Sequence, residues 1–394
     1  MRKDGHRRRV RAASSFLSLS GLILRRIYPL LILTLALNSA LASVAFAATS
    51  EPPAPPTKDG QGLQFGRAID DHGQILLTDQ VAKLIADSGA RWIRINFRLG
   101  SHFPDWTTPV GGVTALNVYD QVVQHAQHYG LQVLGVLSNE AWLGSQSQWQ
   151  ENNAEVAGGG GINPYIQGFA QKAAVVLAQH FKGRVDWWQV WNEPNINPTF
   201  IYPSNFAQLL AQVYTGVKAA GVTTARFISG GIQCGNDSDG AITADSCGAN
   251  YLKQTYAQGR NLADWERIKT NYGSYPFDGL GEHIYLDQSR RTTSSRIGTT
   301  LQLLHDAQVM AEGSALGKQT YITESGWSTS LVSEQVQAAN LQTEYDVFQS
   351  TSYVQTAFWF FLRDEPGANL YYGLLRPDSS KKPAWTAYQQ YATY

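Results

Sequence analysis

A chain of 394 residues, 43% hydrophobic and 16% charged, carries enough apolar material for a large core and is excluded from the disordered class. Its 31 basic and 31 acidic residues cancel overall, but the first 47 residues hold eight of the bases and one acid, which leaves 23 against 30 in the remainder, a net of −7. A mildly acidic folded part excludes nucleic acid as its partner, because phosphate binding needs a basic face that releases counterions.

The basic residues Arg2, Lys3, Arg7, Arg8, Arg9, Arg11, Arg25 and Arg26 precede an apolar run over 30–41, and small residues follow at Ala45 and Ala47. This is the layout of an export signal. Residues 1–47 are therefore expected to be a signal peptide cleaved after Ala47 or Ala48, or else an uncleaved anchor, since 29–48 is about as long as a membrane span. A linker containing Pro52, Pro53, Pro55 and Pro56 follows over 48–61, and one folded domain occupies 62–394. The expected location is secreted or cell-surface, with membrane contact only if the anchor is retained, and a monomer is expected.

From residue 62 onward, short β-branched and aromatic runs alternate with longer amphipathic stretches, the pattern of repeated βα units. Strands are expected at 63–69, 91–97, 131–137, 185–191, 226–232, 277–285, 318–324 and 354–361. Between them, Phe206, Leu209, Leu210, Val213, Tyr214 and Val217 recur at helical spacing. Gly89, Gly130 and Gly221 stand where helix C-caps are wanted. Eight cycles in one chain of this length predict an α/β fold, a single (β/α)8 barrel. An open doubly wound sheet is the other arrangement of such units, but no G-x-G-x-x-G turn follows the first strand. The glycine run at 158–161 reads as a flexible loop.

A barrel of this kind places its active site at the C-terminal strand ends. Those ends carry Arg94 and Asn96, Asn139, Asn192 and Glu193, His283 and Tyr285, Glu324, and Trp359. Period-two alternation puts Arg94 with Asn96, His283 with Tyr285, and Thr320 and Ile322 with Glu324. The segments Trp191-Asn192-Glu193-Pro194 and Ile322-Thr323-Glu324-Ser325-Gly326 resemble the acid/base and nucleophile motifs of clan A retaining glycoside hydrolases. The chain most resembles the cellulase-like family 5, with the xylosidase-like family 39 close behind. That resemblance implies catalytic roles for Glu193 and Glu324 and substrate-binding roles for Arg94, Asn139, Asn192, His283, Tyr285 and Trp359. It departs from family 5 at Asn139, where histidine is usual.

The chemistry asks for the same pair. A retaining glycosidase needs one carboxylic acid for the leaving oxygen and one carboxylate for the anomeric carbon. Arg94 beside Glu324 would keep that group ionised, while a less charged setting would leave Glu193 its proton. Asn192 is expected on the sugar 2-hydroxyl, Tyr285 on Glu324, His283 on a sugar hydroxyl or a neighbouring side chain, and Trp359 under the sugar ring. Trp142 and Trp149 are candidates either for outer subsites or for pinning their loop. Cys234 and Cys247 are a disulfide candidate in an exported protein, with two free thiols as the alternative. Asp70, Asp71 and His72 read as a turn rather than a metal site, so neither metal nor cofactor is expected. The expected partner is a polysaccharide or oligosaccharide, bound for β-glycoside hydrolysis or, alternatively, without catalysis.

Overall fold

The computed structural model describes residues 60–142, 149, 164–237, 240–313 and 317–392. The expected export segment, most of the linker and the glycine run 158–161 lie outside the described residues. Eight parallel strands, β1 (Gly62–Arg67), β2 (Trp92–Asn96), β3 (Gln132–Leu137), β4 (Trp187–Asn192), β5 (Arg226–Gly235), β6 (Leu280–Tyr285), β7 (Thr320–Ser325) and β8 (Val354–Phe360), pair in chain order and close β8 onto β1. Closure settles the architecture as a (β/α)8 barrel and rules out the open sheet.

The helices around it begin and end where side-chain chemistry dictates. The hydroxyls of Thr78 and Thr114 accept from the backbone N–H of Val81 and Asn117, capping the helices Asp79–Asp87 and Ala115–His128. Gly130 and Gly221 adopt φ of 74° and 82°, a left-handed turn that frees the chain to enter the next strand. The helix Pro203–Ala219 buries the expected stripe of Phe206, Leu209, Leu210, Val213, Tyr214 and Val217.

Inside the barrel, Trp92, Leu134, Ile228, Tyr321 and Phe358 form one apolar layer, with Trp187 packed against it. Two residues further along, the same faces of β2 and β4 carry Arg94 and Gln189, both fully buried. The interior therefore changes from apolar to polar along the strands, and this floor fixes the height of the site. On β7 simple alternation fails. Tyr321 belongs to the interior layer while Ile322 joins the outer core. Register shifts between Glu282 and His283, and between Ile322 and Ser325, mark an extra residue that turns Glu324 inward, as a bulge does.

On the helix-facing side of the same strands, Glu282 of β6 and Glu344 of the helix Glu334–Ser350 are fully buried. No hydrogen bond meets the Glu282 carboxyl among the described residues, and the Glu344 carboxyl has the Ser325 hydroxyl beside it, too weak a partner to offset burial. Burial pushes both carboxyls well above the ordinary 4.5, and the Glu344 charge adds to the effect at Glu282. Folded values above unfolded ones mean that their contribution to stability is complete below the ordinary carboxylate range and is lost as pH rises through the folded values. Thermal melts between about pH 5 and about pH 8 should therefore show Tm falling with pH, and the double variant Glu282→Gln/Glu344→Gln should flatten that fall. Parallel curves for the two proteins would contradict this origin.

Candidate active site

Arg94 rises from β2 as a buried cation with each guanidinium nitrogen engaged. Its Nη1 donates to Glu324 Oε1 at 2.6 Å, its Nη2 to Asn192 Oδ1 at 2.6 Å and its Nε to Gln189 Oε1 at 2.9 Å. His283 Nε2 lies 3.5 Å from the same Nη2. The other histidine nitrogen, Nδ1, is 3.0 Å from Glu193 Oε1 and 3.5 Å from Glu324 Oε2. Tyr285 completes the cluster by donating its hydroxyl to Glu324 Oε2 at 2.8 Å.

Glu193 reaches this cluster through an uncommon backbone path. Trp191 and Glu193 have φ of 76° and 45°, a region that side chains beyond glycine seldom occupy and that needs support from the surroundings. That support is visible. The Glu193 N–H donates to the Gly231 carbonyl at 3.1 Å, the Thr199 hydroxyl donates to the Glu193 carbonyl at 3.1 Å, and the Trp191 indole donates to the Thr199 carbonyl at 2.8 Å. Asn195 exchanges two hydrogen bonds with the backbone of Gln233, both at 2.9 Å, tying the turn after Glu193 to β5.

The two carboxylates sit in different electrostatic settings. Burial alone would raise Glu324, but the charges of His283 and Arg94 and hydrogen bonds from Tyr285 and Arg94 outweigh it and hold the carboxyl below its ordinary value. Burial and the charges of Glu324 and Glu193 push Tyr285 well up, so it keeps the proton that it donates. Arg94 makes no hydrogen bond to Glu193, whose side chain is 18% exposed against 9% for Glu324. Glu193, His283 and Glu324 offer ligand atoms within 4.8 Å of one another, the only such group among the described residues. A divalent cation there would have to compete with the guanidinium already 2.6 Å from Glu324.

Other expected residues are placed differently. Asn139 lies in a short 3-10 turn after β3, partly exposed, and none of the hydrogen bonds that knit the cluster reaches it. Asn96 also stays outside that network. Trp359 is fully buried, tilted against Trp327 at 6.3 Å, with its indole donating to the Tyr372 carbonyl at 2.9 Å. It therefore has no free face for a sugar. Phe360 shares its parity with the interior Phe358, and it is Phe360 that packs edge-on to Tyr285 at 5.9 Å and to Tyr372 at 5.2 Å. Trp149 is buried 4.8 Å from Trp191, and Lys172 lies over the Trp142 ring, so both indoles pack within the protein. Asp70 accepts from the backbone of His72 and Gln74, which makes that segment a turn. Cys234 and Cys247 are buried and joined as a disulfide at the β5 loop.

Gln189, Gly231, Phe360 and Tyr372 join the site without having been expected there. Gly231 leaves room for His283, because a Cβ on it would overlap the imidazole ring.

No protein-family profile matches the chain, and no curated protein matches it in sequence. Its fold does match solved structures. A family 39 glycoside hydrolase from Bacteroides cellulosilyticus WH2 superposes with a TM-score of 0.59 at 19% identity, over 86% of this chain and 64% of that one. An endo-1,4-β-D-mannanase from Thermotoga petrophila RKU-1 gives 0.54 at 15% identity, over 85% and 99% of the two chains. A family 1 β-glucosidase from Thermotoga maritima gives 0.52 at 13%, over 79% and 84%. At these identities the likeness establishes a shared barrel fold, and function rests on the site.

Gly231→Ala tests the packing that positions His283. The variant should fold with a loss of about 1–3 kcal/mol from overpacking. Its His283 ring nitrogens, followed by 15N NMR, should lose the signature of the bond to Glu193. Unchanged imidazole signals would show that the glycine is not needed there.

Proposed function

We propose that the protein is an exported retaining O-glycosidase that hydrolyses β-linked glucan, xylan or a related polysaccharide or oligosaccharide. The observation that carries this reading is the carboxylate pair, in which one oxygen of Glu193 and one of Glu324 approach within 4.8 Å of each other. Retaining enzymes hold their two carboxyl groups about 5–5.5 Å apart, whereas inverting enzymes need about 6.5–9.5 Å to seat a water between carboxylate and sugar. So close an approach of the two carboxyl groups favours direct attack by Glu324 over a water seated between them.

In the first step the Glu324 carboxylate, kept ionised by Arg94 and Tyr285, bonds to the anomeric carbon while Glu193 gives its proton to the departing glycosidic oxygen. In the second step water attacks the same carbon, Glu193 takes a proton from it, and Glu324 is released as carboxylate. The route needs no cofactor. Asn192, its carbonyl oxygen already held by Arg94, would turn its amide N–H toward the sugar 2-hydroxyl, a bond that strengthens in the transition state. His283 has both ring nitrogens facing protein groups and no exposed surface, so its part is to orient Glu193. Phe360 and Tyr372, both partly exposed, supply the apolar wall that a pyranose face packs on. The basic n-region, apolar run and Ala45-x-Ala47 pattern support export.

Screening the protein against a glycan panel, with Glu193→Gln and Glu324→Gln alongside, tests the assignment. Each variant should lose about 10²–10⁴-fold or more in rate, because each group acts in the transition state. NMR of the first-formed product should show the anomeric configuration of the substrate. An inverted anomer would remove the nucleophile role from Glu324, and oligosaccharide binding without product across the panel would replace hydrolysis with noncatalytic recognition.

A further inference from the structure

Gln189 lies in the middle of β4, fully buried below Asn192 and Glu193 and out of reach of any substrate. Its amide is used at both ends. Oε1 accepts from Arg94 Nε at 2.9 Å, and Nε2 donates to the Trp191 carbonyl at 2.9 Å. The first bond sets the rotation of the guanidinium whose other two nitrogens hold Glu324 and Asn192. The second holds the peptide of a residue with φ of 76°, one step before Asn192 and two before Glu193. A side chain of this length that accepts at one atom, donates at its neighbour and carries no charge is an amide.

We propose that Gln189 is the positioning residue of this site, a single amide that couples the arginine controlling Glu324 to the strained backbone presenting Asn192 and Glu193. Both bonds are buried, where losing the amide leaves an unsatisfied donor on Arg94 and takes one of its hydrogen bonds from the Trp191 carbonyl. Losing the first bond lets the guanidinium rotate away from its three-way grip. Losing the second removes one of the constraints that keep Trp191 in the left-handed region. One substitution should therefore disturb both carboxylates, although they stand on different strands. The charged and titratable groups facing Arg94 and Glu324 are Glu193, His283, Tyr285 and, further out, Tyr372; Gln189 adds no charge of its own.

This inference rests on Glu193 and Glu324 being the working pair, but it can be read without turnover. In full-length protein labelled at glutamate carboxyl carbons, the Glu324 resonance is identified by its loss in Glu324→Gln and titrated by NMR. In Gln189→Met, which keeps the length and removes both bonds, the Glu324 midpoint should move up by about one pH unit. Its kcat should fall about ten- to a hundredfold with little change in KM, as expected of a group that touches no substrate. An unmoved Glu324 midpoint in the folded variant overturns the coupling. Should that variant fail to fold, exchange in the unaltered protein decides: the Arg94 Nε–H and the Gln189 amide protons should be strongly protected, and exchange at the rate of exposed groups overturns the proposal. An inactive parent protein with a shifted midpoint in Gln189→Met would instead remove the glycosidase reading and leave the coupling standing.

Discussion

Arg94 brings a full positive charge to a place with no exposed surface. Such a charge is tolerated only when it is paired and hydrogen-bonded in nearly every direction. Glu324 from β7 and Asn192 and Gln189 from β4 meet that demand within 2.9 Å, and His283 from β6 closes the remaining side. Four strands must consequently reach the same height in the barrel. The apolar layer of Trp92, Leu134, Ile228, Tyr321 and Phe358 directly beneath keeps the surroundings dry, which strengthens each of these bonds and raises the cost of breaking any of them.

The same cation makes two chemically identical side chains unlike. Glu324 receives His283, Arg94 and Tyr285 together and is held as a carboxylate despite its burial. Glu193 receives an imidazole and is the more open of the two. A division of labour between a nucleophile and a proton carrier needs such a difference of environment. Here it comes from which strand face each residue occupies, and on β7 from one extra residue that turns Glu324 inward.

The strands were legible because each is a short apolar or aromatic run between capped helices, and Arg94, Asn192, Glu193, His283, Tyr285 and Glu324 could be named because they stand at the ends where such a barrel works. What escaped depends on events that alternation alone does not report. The bulge on β7 reverses the parity that would have grouped Glu324 with Ile322. On β8 the resemblance drew attention to Trp359, whereas counting from the interior Phe358 points to Phe360. Gln189 carried a faint signal, a lone amide within Trp187-Trp188-Gln189-Val190-Trp191, yet its partner lies 95 residues away. Gly231 carried none, since its importance is the room it leaves for His283 of the neighbouring strand. Asn139 was placed by its position after β3, and that position leads into a turn outside the network.

Trapping the covalent intermediate tests the account most directly. An activated 2-deoxy-2-fluoro β-glycoside slows both steps by destabilising the charged transition state, and its good leaving group lets the first step run ahead of the second. Incubation with gluco, manno and xylo versions, followed by intact-mass and peptide-mapping measurements, should show one sugar added per chain, on Glu324, and none added to Glu324→Gln. A stable adduct on Glu193 or any other side chain, or labelling that persists in Glu324→Gln, would contradict the assignment of Glu324 as the nucleophile.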